Sequence, residues 1–364
     1  MGPYPHDSGP AAVTAANPMG TDGFEFVEYA STEPEALGRL FETMGFSPVA
    51  RHRSKNVTLY RQGDINFVVN AEPDSFARRF ADAHGPCACA MAFRVADAAH
   101  AQQRAIALGA KPAETRIGPM ELNIPAIEGI GGSQLYFVDR YGAKGSIWDV
   151  DFVWTGARDP KPAGQGLFYI DHLTHNVRRG QMRAWSGFYG GVFNFREQKY
   201  FDIKGKATGL FSQAMIAPDR AIRIPLNESQ DENSQIEEFL RRYNGEGIQH
   251  IALATDDIFE TVEELRRRGI AFQDTIETYF ELIDRRLPNH GEDVERMRKN
   301  RILIDGSDQD GILLQIFTQD TFGPIFFEII QRKGNQAFGE GNFQALFDSI
   351  ELDQIRRGVI KVEA

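Results

Sequence analysis

Short runs that alternate apolar and polar positions, or are continuously apolar, recur along this chain, separated by glycine-bearing turns and stretches of helical period. Phe24 to Tyr29 alternates as a strand does. Glu33 to Phe41 carries a helical period that ends near Gly45. Val57 to Tyr60 and Ile65 to Asn70 predict two paired strands around a Gly63-Asp64 turn. A strand is predicted from Cys87 to Val95, a helix from Ala96 to Leu108 stopped by Gly109, and a strand from Gln134 to Asp139.

The same order then starts again. Phe168 to Val177 reads as a strand, and Met182 to Tyr189 as a helix stopped by Gly190-Gly191. Phe201 to Ile203, Ser212 to Ile216 and Arg223 to Leu226 read as strands. Ile248 to Ala254 predicts a strand, and Ile258 to Arg268 a helix ended by Gly269. Ile302 to Asp305 and Ile312 to Thr318 pair around the turn at Asp308 to Gly311. Pro324 to Gly334 is a buried strand with one carboxylate, Glu328, in its middle.

The two halves read as copies. Met91 to Asp97 lies beside Ile251 to Asp257, Asp97 falls on Asp257 and Gly109 on Gly269, all at an offset of 160 residues without a gap. At 364 residues the chain is too long for one ordinary core, so two domains are expected. They run over 22–155 and 156–364, after a tail, 1–21, whose Pro, Gly, Ala and Ser content predicts disorder.

Composition narrows the class. The apolar share of 42% and charged share of 25% are those of a soluble globular protein. A net charge of −11 speaks against nucleic acid and anionic membrane as partners. Phenylalanine is over-used, at 27 against 10 Tyr and 3 Trp, which predicts an aromatic core or an aromatic-lined pocket. The only two cysteines stand as Cys87-Ala88-Cys89, a spacing too short for half a zinc ribbon, and are expected to be reduced and buried. With no basic-then-apolar leader and no run approaching a membrane span, a cytoplasmic location is expected.

Glu328 carries the chemistry forward. A carboxylate inside an apolar strand needs a cation, either a metal or a buried Arg or Lys. Of eight histidines, only His172, His175 and His250 lie in apolar strands. His172 shares its face with Ile170 and Thr174, so His175 points the other way. His172, His250 and Glu328 make a set of two histidines and one carboxylate, which suits a non-haem Fe(II) site with open positions. His250 lies 78 residues after His172 and 78 before Glu328. The first-half position matching His250 is Ala90, so the first copy lacks that ligand and reads as a scaffold.

Asp171-His172, Gln249-His250, Leu314 to Thr318, Phe326 to Arg332 and Gly339 to Phe343 together resemble the 4-hydroxyphenylpyruvate dioxygenase family. The resemblance covers nearly the whole chain from about Asp22. It implies an α+β, two-domain vicinal-oxygen-chelate fold: duplicated βαβββ modules forming half-open barrels, with a C-terminal helix over the active site. It implies that His172, His250 and Glu328 hold Fe(II). It implies a polar pocket of Ser212, Asn227, Gln235, Gln249 and Gln315, an aromatic lining of Phe317, Phe326, Phe338 and Phe343, and Pro225 as a wall beside Asn227. Asn342 belongs with the pocket residues and reads as the cap of a helix starting at Phe343, a candidate lid. The implied substrates are 4-hydroxyphenylpyruvate and O2, the products homogentisate and CO2, in tyrosine and phenylalanine catabolism. A homotetramer or homodimer is implied as well. Three rivals stay open: a hydroxymandelate synthase with the same substrate and iron, an extradiol dioxygenase, and a metal-binding module without catalysis.

Overall fold

A computed structural model describes residues 11–204, 209–232, 234–342 and 344–346. The first half contains β1 (Thr21–Ala30), α1 (Pro34–Thr43), β2 (Ser47–His52), β3 (Val57–Gln62), β4 (Ile65–Asn70), α2 (Phe76–His84), β5 (Cys87–Val95), α3 (Ala98–Ala107), β6 (Ala126–Glu128), β7 (Gln134–Val138), α4 (Trp148–Asp151) and β8 (Phe152–Trp154). The second contains β9 (Leu167–Val177), α5 (Met182–Phe193), β10 (Arg196–Lys204), β11 (Gly209–Ile216), β12 (Arg223–Ser229), α6 (Gln235–Tyr243), β13 (Gly247–Thr255), α7 (Ile258–Arg267), α8 (Glu277–Glu281), α9 (Ile283–Arg286), α10 (Val294–Asn300), β14 (Leu303–Ser307), β15 (Gly311–Phe317) and β16 (Phe326–Lys333).

Each half builds one eight-stranded sheet, in the orders β6-β7-β5-β1-β4-β3-β2-β8 and β10-β11-β12-β9-β13-β16-β15-β14. The mixed α+β fold of duplicated modules is therefore present: three are βαβββ, and the one that opens with β5 carries two later strands, β6 and β7, while β8 joins the opposite edge. β1 pairs parallel with β4, β9 with β12, and β13 with β16, while β1–β5 and β9–β13 join the modules antiparallel. The offset of 160 holds at the level of elements: β5 and β13 share it at both ends, as do α3 and α7. Asp97 and Asp257 both cap their helices, accepting from the backbone N–H of His100 and Glu260.

Phenylalanines join the halves. Phe67 stacks on Phe46 at 4.5 Å and meets Phe327 of the second sheet at 6.0 Å, and Phe327 also meets Phe41 at 6.5 Å. Close approach between the halves needs glycine at two places. Any Cβ on Gly63 would stand 2.5 Å from the Cα of Phe168, and one on Gly131 would stand 2.0 Å from the carbonyl oxygen of Glu246. Both thiols, Cys87 and Cys89, are free and buried. Among the described residues no helix is long and apolar enough to cross a membrane.

Four local expectations are corrected. Residues 11–20 are ordered: Asn17 accepts from the Thr21 N–H at 2.9 Å, and Met19 is fully buried. Proline and glycine there shape a turn rather than a free tail. Helix α5 does not stop at Gly190-Gly191 but runs to Phe193, because Val192 and Phe193 bury against the core and Asn194 supplies the left-handed stop. Sequence reading missed β2, α2 and α6, although α2 and α6 each carry a helical apolar stripe and a Ser cap, Ser75 and Ser234. Asn342 does not start the last helix. The helix already begins at Glu340, where Asp305 receives the Gly341 N–H at 2.8 Å, and the Asn342 carboxamide accepts from Tyr279 at 2.6 Å. Phe343 and 347–364, most of the expected lid, lie outside the described residues.

Candidate metal centre

Two one-residue bulges shape the centre of the second sheet. Along β9 against β13, Ile170 faces Leu253 and His172 faces Ala252, so Asp171 is an extra residue. Along β13, Ile248 faces His175 and His250 faces Thr174, so Gln249 is extra. A regular strand would turn Asp171 and Gln249 to the face opposite their histidines. The bulges let each side chain reach the ring beside it. Asp171 Oδ1 lies 2.8 Å from His172 Nδ1, and Gln249 Oε1 lies 3.1 Å from His250 Nδ1.

With Nδ1–H donated to those oxygens, each ring turns an Nε2 lone pair inward. His172 Nε2 and His250 Nε2 stand 3.2 and 3.5 Å from Glu328 Oε2, and the three ligand atoms all lie within 4.8 Å of one another. Parallel register between β13 and β16 places them: Ala252 pairs with Glu328 on one side and His172 on the other. All three residues are buried, and Glu328 Oε1 has no partner. Two lone pairs and a carboxylate cannot share such a space without a cation. Thr174 Oγ1 reaches His250 Nε2 at 2.9 Å but is a single weak donor. The donor set, two nitrogens and one carboxylate oxygen, fits a divalent transition metal with positions left open.

A proton can fill the same gap. Burial alone would lower the His172 pKa, but Glu328 and Asp171 raise it above the ordinary value. On His250 burial prevails and the pKa falls. Burial would raise the Glu328 pKa, yet the His172 charge beside it outweighs that and holds the carboxyl below its usual range.

Buried arginines are present, but they serve Asp171. Arg332 Nε and Nη2 each lie 2.7 Å from its carboxylate, and Arg223 Nη1 lies 3.3 Å away. Burial would raise the Asp171 pKa, and the two guanidiniums hold it far below the ordinary range. Asp171 therefore stays an anion against His172. The sequence motif contains Asp171, but nothing in it reveals the two arginines, which come from β12 and β16.

The remaining expected residues divide. Phe338 meets the His172 ring edge-on at 5.2 Å, Phe326 stacks on His250 at 5.0 Å, and Phe317 stands 6.0 Å from His250. Gln315 is buried against Gly339 with its Oε1 unpartnered. Asn227 pairs in register with Asn176 and Ser212, so Ser212, Asn227 and Pro225 share the face of His172. Gln249 contacts His250 rather than standing free in the pocket. Gln235 is the exposed first residue of α6, a helix that turns Ile236, Phe239, Leu240 and Tyr243 inward. Asn176 was missed. It is fully buried, four residues along the face from His172, and both its amide atoms lack a partner. Period-two counting from His172 finds it. His175 points away, to the Tyr189 hydroxyl at 2.8 Å.

Comparison with known proteins adds to this geometry. Residues 15–153 match the family model described as hydroxyphenylpyruvate dioxygenase, N-terminal, and residues 169–282 that of the glyoxalase/bleomycin resistance protein/dioxygenase superfamily. Hemolysin VllY of Vibrio vulnificus is 62% identical over 96% of this chain and 99% of its own. The 4-hydroxyphenylpyruvate dioxygenase of Pseudomonas aeruginosa is 59% identical over 96% of this chain and 99% of its own. A solved mutant of 4-hydroxymandelate synthase from Streptomyces coelicolor superposes with a TM-score of 0.78 at 25% identity, covering 92% of this chain and 99% of that one.

Proposed function

The chain belongs to the 4-hydroxyphenylpyruvate dioxygenase family, and we propose that it converts 4-hydroxyphenylpyruvate and O2 into homogentisate and CO2 with Fe(II) held by His172, His250 and Glu328. The observation that carries this reading is the convergence of three buried ligand atoms within 4.8 Å, with both imidazoles fixed from behind. Ferrous iron bound there would chelate the keto acid and activate O2.

Everything else falls to the chain. Asp171, kept ionised by Arg332 and Arg223, holds the His172 tautomer and ring angle. Gln249 does the same for His250 with a neutral oxygen. Phe317, Phe326 and Phe338 wall the ligand set against bulk water and offer ring faces and edges to an aromatic substrate, each contact worth about 1 kcal/mol beyond burial. Gln315 and Asn176 carry unpartnered polar atoms that a substrate hydroxyl or carbonyl would satisfy. Ser212 and Asn227 flank them on the same face, with Pro225 as wall. In this reading 22–155 is scaffold and 156–364 carries the reaction, in a cytoplasmic homodimer or homotetramer.

The test is product identification. Protein reconstituted with Fe(II) is incubated under air with 4-hydroxyphenylpyruvate and ascorbate, and products are resolved by mass and retention. Homogentisate is expected, and it should vanish in His250→Ala. 4-Hydroxymandelate would keep the fold, ligands and substrate but overturn the reaction. No oxygen uptake would overturn the whole reading.

A further inference from the structure

The first sheet has a hollow where the second has its ligand set. We propose that this hollow binds a small organic amine, its ammonium group against Glu28 and its apolar body against Phe26, Tyr136 and Trp148. The proposal is independent of the reading above, since no residue of the metal centre takes part.

Register defines the hollow. Ala252 and Ala92 are equivalent across the offset of 160; Ala252 lies between His172 and Glu328, and Ala92 between Phe26 and Tyr136. His250 becomes Ala90. Thr174, opposite His250, becomes Glu28, opposite Ala90. On this face a cavity of about 360 Å³, enough for a small ligand, is lined by Phe26, Glu28, Tyr136 and Trp148.

Its chemistry favours a cation. Glu28 is 8% exposed and accepts one hydrogen bond, from Asn70 Nδ2 at 2.7 Å. Among the described residues no Lys or Arg pairs with it: Lys55 is engaged by Glu121 at 2.7 Å, and Arg94 by Glu25. Burial raises the Glu28 pKa, and the Asn70 hydrogen bond and the Lys55 charge only partly offset it. Phe26 stands 5.6 Å from Tyr136 and 5.7 Å from Trp148, and Trp148 stands 5.1 Å from Phe152. Aromatic walls attract an ammonium group, more strongly when it is desolvated. Lining carboxylates outnumber lysines and arginines six to three, which disfavours an anion. A metal is disfavoured too, because the only three-ligand cluster among the described residues is the one in the second sheet.

Calorimetric titration of the full chain with 2-phenylethylamine tests this, with 3-phenylpropanoate and 3-phenylpropanol as acidic and neutral counterparts. The amine should bind saturably and more tightly than either counterpart. Glu28→Gln should weaken it by about tenfold or more. Val68→Phe, which fills the cavity from β4, should abolish binding. Melting curves and keto-acid turnover establish that both variants are folded. The proposal is overturned by the absence of saturable amine binding, by amine affinity that both variants leave unchanged, or by an acid that binds more tightly and is lost in Val68→Phe.

Discussion

The central strand pairs of the two sheets share a backbone frame down to its irregularities and differ in what fills it. Glu25 is the bulged residue of β1 as Asp171 is of β9, and Cys89 that of β5 as Gln249 is of β13. Both bulged carboxylates take an arginine: Arg94 for Glu25, Arg332 and Arg223 for Asp171. Glu25 also accepts from the Trp148 indole at 2.9 Å, where Asp171 instead holds a histidine. Phe26, Ala90 and Tyr136 occupy the places of His172, His250 and Glu328. A bulge can thus aim two neighbouring side chains inward without specifying their chemistry. Three substitutions on one frame separate a ligand set from an aromatic hollow.

Removing a ligand breaks the comparison most sharply. In Glu328→Gln, Fe(II) stoichiometry and turnover should both collapse, whereas Tyr136→Phe, at the equivalent place in the first sheet, should leave turnover close to that of the unmodified chain. Metal analysis beside oxygen uptake decides it, and equal losses in both variants would end the assignment of chemistry to one sheet. Asp171→Asn comes next. It leaves the ring partner in place but strands Arg332 and Arg223, and should weaken metal binding about 10–100-fold in a competition titration.

Gly131→Ala probes whether the halves stand as one packed unit. Its φ of +60° and the Glu246 oxygen 2.0 Å from a new Cβ leave no room, so a loss of about 1–3 kcal/mol is expected in urea unfolding. The smallest effect concerns the buried faces of β1 and β9 turned away from the hollow and the ligand set, where Tyr29 and His175 are counterparts. Burial lowers the His175 pKa from the ordinary 6.5 to about 3. Between those values the unfolded chain binds the proton and the folded chain does not, so stability is lost as pH falls through that window. His175→Gln should reduce the pH slope of unfolding there by up to about one proton.

Much of this molecule was legible in its sequence. β5 and β4 were read to the residue, since alternation and a Gly-Asp turn are local signals. The duplication showed as an unbroken offset, and His172, His250 and Glu328 stood out because polar groups in apolar strands are expensive. Where the reading failed, the cause was distant. The glycine pair in α5 looked like a stop until Val192 and Phe193 found a core to bury in. Sequence by itself determined the alternation, the repeat and the ligand types, because each depends on a residue and its near neighbours. Only the tertiary structure decided the register that brings β9, β13 and β16 together, the bulges that turn Asp171 and Gln249 onto their histidines, and the choice of Asp171 over Glu328 as the arginines' partner. Those depend on which strands lie side by side, and no local pattern in the chain specifies that.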